Sequence, residues 1–365
     1  MKKQTYGVGL VGFGAAGRHF HAPLIQATPG LELLAVASSR PDAVHEALPE
    51  VDVVAKAAAL FARADIDLVV IATPNETHFP LGKAALNAGK HLVIDKPFTV
   101  SVPEARLLKT QAEKAERLLS VFHNRRWDSD CLTLQGLLEA RTLGRPVSLE
   151  LRFDRFRPRV TDRWRDHQQP GSGIWYDLGA HLLDQVHTLF GMPKAILLEL
   201  AAVREGAKID DDFLALLEYE NLRITLQASS LVAETTPRMA LHGTRGSFVK
   251  HGADPQERWL REGQAPTAAW GVDERPGELI LDEGEEGSVA LVRHPHPAVP
   301  GDYLAYYAGI VDALAGQGPP PVTADEALAV MTLLEAGLDS YRQARWIRLR
   351  EEGGPRHLHA HAHAR

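Results

Sequence analysis

One cysteine stands in the 365 residues, Cys131, so no disulfide can form within the chain. A reducing compartment, the cytoplasm, is the expected setting. Between Asp130 and Leu132 nothing marks Cys131 as a nucleophile, and it reads as a small buried apolar residue. Long apolar runs are also missing. None approaches the roughly 18 residues of a membrane-crossing helix, so no membrane partner is expected. Met1-Lys2-Lys3 ahead of apolar residues imitates a signal peptide, but glycines break that stretch at every second or third position, which suits a strand and phosphate loop better. Positive charge is not in excess either. Lys plus Arg number 40 against 47 for Asp plus Glu, a net charge of -7, which speaks against nucleic acid or any general polyanion as partner.

What is present is an ordinary globular composition, 45% hydrophobic and 24% charged, in a chain long enough for two domains. The organising stretch is Tyr-Gly-Val-Gly-Leu-Val-Gly-Phe-Gly-Ala-Ala-Gly, residues 6–17. An apolar strand meets Gly12, Gly14 and Gly17 at G-x-G-x-x-G spacing, and a helix pattern over residues 15–27 follows, with Pro23 expected to kink it. The first glycine allows a tight turn, the second lets backbone approach a pyrophosphate, and the third lets helix pack on sheet. Gly12, Phe13, Gly14, Ala15 and Gly17 are therefore candidate dinucleotide-binding residues, with phosphate at a helix N-terminus.

Strand and helix patterns then alternate through residue 122, which predicts a doubly wound parallel sheet. At the end of the second strand an NAD site usually has Asp or Glu for the ribose hydroxyl. Ser38, Ser39 and Arg40 stand there instead and suit a 2'-phosphate, so NADP is expected rather than NAD. Thr73, Pro74 and Asn75 end the fourth strand and are expected to line the cofactor cleft, with His78 just beyond. Gly89 ends the next helix pattern, residues 91–94 form the fifth strand, and Asp95-Lys96-Pro97 follows at once on the side of the phosphate loop, where a lysine is well placed for chemistry.

Beyond residue 122 the pattern changes. Val147, Leu149, Leu151 and Phe153 alternate with polar residues, and further strand patterns near 196–203, 213–219, 222–229 and 238–242 suggest an antiparallel sheet. Residues 302–315 and 323–343 return to helix, the second opened by a capping box of Thr323 and Glu326. The expected domains are 1–122, 123–350 and a polar His-rich tail over 351–365, where His357, His359, His361 and His363 alternate with small residues.

Trp175 to Asp184 is the second informative stretch. Read as a helix, it projects Asp177, His181 and Asp184 from one face. That face supports three uses: a carboxylate-oriented general base, a structural interhelical histidine, or a divalent metal site. The segment 152–166 carries six arginines with Phe153, Phe156 and Trp164. Its interspersed aspartates favour pocket lining and ion pairs over nucleic acid, with Arg163, Trp164 and Arg165 able to meet polyol hydroxyls.

The glycine motif, Asp95-Lys96-Pro97 where Glu-Lys-Pro is usual, and Asp177 with His181 resemble the Gfo/Idh/MocA oxidoreductases over about residues 5–350. His123-Asn124-Arg125-Arg126-Trp127-Asp128 and Trp175-Tyr176-Asp177 are most similar to the NADP-dependent scyllo-inositol dehydrogenase branch. The resemblance implies an N-terminal Rossmann domain and a C-terminal α+β domain on a mainly antiparallel, open-faced sheet used for substrate binding and oligomerisation. It implies hydride transfer between NADP and a cyclic polyol or sugar, no catalytic metal, and a homodimer or homotetramer. Lys96 would contact the reacting oxygen and relay protons, Asp177 would position substrate and imidazole, and His181 would take the alcohol proton. Asp95 joins the cofactor residues, while Asn124, Arg125, Arg163, Trp164 and Trp175 join the substrate residues. The rival readings are a non-catalytic dinucleotide-binding sensor and an NAD-dependent glycoside-cleaving relative.

Overall fold

The computed structural model describes residues 5–160, 169–267, 270–285 and 287–349. Within them, strands form a six-stranded and a nine-stranded sheet. Tyr6–Val11 (β1) is buried along its whole length, as a central strand covered on both faces must be. It is joined by Leu31–Ala37 (β2), Asp52–Val54 (β3), Leu68–Ile71 (β4), His91–Asp95 (β5) and Leu119–Phe122 (β6). All pairs are parallel and the order is β3-β2-β1-β4-β5-β6. The order reverses between β1 and β4, so a crevice opens at their carboxyl ends, where the glycine turn also lies.

Pro23 falls in the first turn of the α-helical segment Ala22–Ala27, directly after a π turn at Gly17–His21 whose Gly17 carbonyl accepts from the Ala22 N–H. The wider turn takes up the register change that proline forces on a helix, so the expected kink takes this form.

The second sheet contains Pro146–Arg152 (β7), Ala195–Ala201 (β8), Asp212–Glu218 (β9), Arg223–Ser229 (β10), Pro237–Gly243 (β11), Gly246–His251 (β12), Gly277–Asp282 (β13), Leu291–His296 (β14) and Ile347–Arg348 (β15). Its order is β14-β13-β12-β11-β7-β10-β9-β8-β15, antiparallel except where β7 meets β10. Leu149, Leu151 and Phe153 are buried as the alternation predicts, whereas Val147 at the strand's start is 44% exposed. One face of the sheet packs on helices Ala180–Phe190 and Ala324–Gln343, with Trp175 edge-on to Phe213 at 5.0 Å. On the other face Leu197, Leu214 and Leu216 lie partly or largely open.

The two lobes share the helix Ala324–Gln343. Its capping box is complete, with Thr323 Oγ1 accepting from the Glu326 N–H and Glu326 Oε2 accepting from the Thr323 N–H. Along the same helix Glu335 Oε1 accepts from the Val102 N–H at 2.6 Å, and Ser120 on β6 donates to the Val322 carbonyl at 2.7 Å. The mouths of the two lobes are thereby held side by side.

Candidate active site

The glycine turn has the shape its spacing implies. Gly12 has φ +96°, and a Cβ there would lie 2.5 Å from the Ala72 carbonyl oxygen; a Cβ on Gly17 would lie 2.2 Å from the Gly12 carbonyl oxygen. Gly14 has nothing within 4 Å, which leaves open room at the start of the helix for a phosphate. Beside it a cleft of about 250 Å³ is lined by Gly12, Phe13, Ser38, Ser39, Arg40 and Thr73, with no acidic residue in its wall among the described residues. Arg40 folds back over the turn, its Nη2 donating to the Phe13 carbonyl at 2.8 Å. These residues fit a dinucleotide.

Other residues predicted near the cofactor have different work. Asn75 donates through Nδ2 to the Gly171 carbonyl at 2.7 Å and so ties the first lobe to the second. His78 is fully buried between the Pro97 and Thr73 carbonyls, at 2.8 and 3.0 Å, so it fastens two loops and has no face for a ligand. Asp95 is buried with His21 Nε2 at 3.7 Å, and His21 Nδ1 lies 2.6 Å from the Tyr307 hydroxyl. Burial pushes the Asp95 carboxyl up, but His21, Lys96 and His78 more than reverse this and hold it below the usual range.

Lys96 follows at the end of β5 and crosses to the second lobe. Its Nζ donates to the Asp177 carbonyl at 2.6 Å and to Asp177 Oδ1 at 2.7 Å. Asn75, Lys96, Pro97, Gly171, Gly173 and Asp177 line the small pocket where the lobes meet. Asp177 lies in a π turn, Trp175–Gly179, that leads into the helix Ala180–Phe190. The i→i+5 turn alters the i, i+4 stacking on which the sequence reading relied. Asp177 Oδ1 therefore engages Lys96, and Asp184 is taken by Arg126 at 2.7 Å, with neither bonded to His181.

His181 is 6% exposed, and its Nδ1 is buried without a hydrogen-bond partner among the described residues. Burial, then the Lys96 and Arg125 charges, press its pKa well below the ordinary value, and Asp177 offsets only part of this. An uncharged imidazole thus stands within the field of an ion-paired ammonium. His123, to which the sequence reading gave no role, is a second buried histidine beside them, likewise kept neutral by burial.

Trp175 does not face substrate. It is fully buried, donates through Nε1 to the Leu334 carbonyl at 3.1 Å, and fills the space over Gly179 and Gly337. Arg125 is buried, paired with Asp128 at 3.2 Å and with Glu257, and lies over the Phe153 ring at 4.6 Å. Asn124 is buried at the start of the 3-10 turn Asn124–Trp127. Arg163, Trp164, Arg165 and the His-rich tail lie outside the described residues.

Two family models match the chain: the oxidoreductase family's NAD-binding Rossmann fold over residues 6–123, and its C-terminal alpha/beta domain over 135–349. The chain belongs to the Gfo/Idh/MocA oxidoreductases. The family relatives include the uncharacterised oxidoreductase YdgJ of Escherichia coli, 52% identical over 91% of this chain and 95% of that protein. Another is the scyllo-inositol 2-dehydrogenase (NADP(+)) IolW of Bacillus subtilis, 36% identical over 95% of this chain and 97% of that protein. Among solved structures, an oxidoreductase from Yersinia pestis superposes with a TM-score of 0.91 at 48% identity, covering 96% of this chain and 99% of that one. Membership makes this chain an oxidoreductase with a nicotinamide-dinucleotide domain. Among the described residues no helix is long and apolar enough to cross a membrane, and no group of three or more His, Cys, Asp or Glu is arranged to hold a metal.

Proposed function

We propose that the chain is an NADP-dependent oxidoreductase acting on a secondary alcohol of a cyclic polyol or sugar, or on the corresponding ketone. The observation that carries this reading is Lys96, held by Asp177 at 2.7 Å, with its charge helping to keep the buried His181 neutral. Removing hydrogen from a carbinol means removing a hydride and a proton, and the nicotinamide, when bound, supplies a place only for the hydride. The chain itself must handle the proton. The neutral His181 ring accepts it, and Lys96 holds the carbinol oxygen by a hydrogen bond while Asp177 fixes the direction of the ammonium. The acid-free cleft with Ser38, Ser39 and Arg40 supports NADP, as does the name of the Bacillus subtilis relative. The open leucines of the second sheet support a homodimer or homotetramer.

The test is nicotinamide absorbance with NADP and NAD against inositol isomers, hexoses and their keto forms. Turnover of at least one polyol, with NADP preferred and the preference lost in Arg40→Ala, is expected. A wild-type preference for NAD would refute the cofactor assignment, and normal turnover in Lys96→Ala would refute the site.

A further inference from the structure

Phe153, the residue after β7, carries three guanidinium groups of the described residues around its ring: Arg238 at 4.0 Å, Arg125 at 4.6 Å and Arg155 at 5.7 Å. Two of them have counter-ions. Arg125 is bonded to Asp128 and Glu257, and Arg238 Nε lies 3.0 Å from Asp130 Oδ2. The Arg155 guanidinium has neither a hydrogen bond nor an ion pair among the described residues. Among the described residues the carboxylates that most raise its pKa are Asp177 and Glu257. Both are engaged elsewhere, Asp177 by Lys96 at 2.7 Å and Glu257 by Arg125 and by Arg261 at 2.9 Å.

Arg155 does not stand on a loose loop. The Arg155 N–H donates to the Ser229 carbonyl at 2.8 Å and its carbonyl accepts from the Val232 N–H at 3.1 Å, so the backbone is fixed on both sides. The residue is half-buried. Burial, the largest influence, lowers the guanidinium pKa to about 10, so it stays charged at neutral pH. A desolvated cation of this kind normally has an anionic or polar partner. A guanidinium fork matches a carboxylate or phosphate, binding either through two parallel hydrogen bonds.

We propose that Arg155 is a specificity-determining residue that binds an oxyanion on the substrate, so that the preferred polyol or sugar is an acidic one, carrying a carboxylate or phosphate away from the reacting carbinol. The inference rests on the reading of Lys96 and His181 as the reaction centre, to which Arg155 is joined through the Phe153 ring it shares with Arg125, whose carbonyl accepts at 2.8 Å from Gln185 on the helix that carries His181. The anion would supply the counter-charge that Asp177 and Glu257 do not.

The experiment is calorimetric titration of the NADP-loaded full chain with three ligands that share one ring: glucose, glucuronate and glucose 6-phosphate. At least one anion should bind about tenfold or more tightly than glucose, as a charge-assisted pair requires, and that ratio should fall to within about twofold in Arg155→Gln. Preference for glucuronate would assign a carboxylate, and preference for glucose 6-phosphate a phosphate. Equal affinities for all three, absence of binding by all three, or an unchanged ratio in Arg155→Gln would overturn the proposal. Because the readout is binding, failed nicotinamide turnover would count against the reaction reading and not against anion recognition.

Discussion

Gly14 and Gly17 are three residues apart, yet alanine should do opposite things at the two positions. At Gly14 an added methyl meets nothing within 4 Å, and its φ lies outside the left-handed region, so the fold has no reason to object. Gly→Ala at such a position changes stability little, or raises it by about 0.4–1 kcal/mol through the unfolded chain. The methyl instead occupies the room at the helix start. Displacing one charge-assisted contact to a phosphate costs roughly 1.5–3 kcal/mol, or about 10- to 150-fold in NADP affinity. At Gly17 the methyl would sit 2.2 Å from the Gly12 carbonyl oxygen, so strand and helix must separate by about 1 Å to restore ordinary contact. Overpacking of that kind costs about 1–3 kcal/mol and lowers Tm by roughly 2–12 °C. Calorimetric melting without cofactor, paired with NADP titration by fluorescence, separates the two effects. Gly14→Ala with wild-type affinity for NADP would refute the placement of the phosphate, and Gly17→Ala with an unchanged Tm would refute the packing argument.

Lys96→Met should lower kcat/KM about 10²- to 10⁴-fold while NADP affinity changes less than about threefold, a division that steady-state kinetics and titration measure together. For alcohol oxidation the acid limb of kcat/KM should lie below pH 6.5, because His181 must be neutral to accept the proton and its pKa is depressed; a limb at or above 6.5 in a profile from pH 5 to 9 would exclude it as the base. Asp184→Ala leaves the buried Arg126 with Glu326 at 3.0 Å and the Pro321 carbonyl at 3.4 Å, and should cost about 3 kcal/mol, read as a drop in the midpoint of urea unfolding.

The first lobe was largely legible because its strands are short, apolar and punctuated by glycine and proline. Gly89 and Pro97, for example, bracket a strand whose predicted limits differ from the observed ones by a single residue. The second lobe was legible only where one face is dry. β14 has Arg293, His294, Pro295 and His296 with no buried row, so periodicity had nothing to detect. The helix Ser129–Glu139 was missed for the reverse reason, since Ser129, Asp130 and Thr133 are polar yet buried. At the site, Lys96 and His181 stood out as chemical types at strand and helix positions, but the π turn that redirects Asp177 leaves no mark in residue spacing. Trp175 misled because an aromatic beside a catalytic segment reads equally well as a stacking surface or a core plug. His21 could not be paired with Asp95 without the fold, since 74 positions separate two residues that no local pattern connects.

Glu335 takes its hydrogen bond from Val102, 233 residues earlier in the chain. On a ribosome the nucleotide lobe is therefore complete in sequence long before the helix that covers β6 and caps Val102 has been made. Until that helix arrives, the Val102 N–H and the flank around it remain wet, and the nascent lobe exposes a surface the finished protein never shows. Truncation before residue 324 should thus harm the first lobe as well as the second, although every residue of its own sheet would be present.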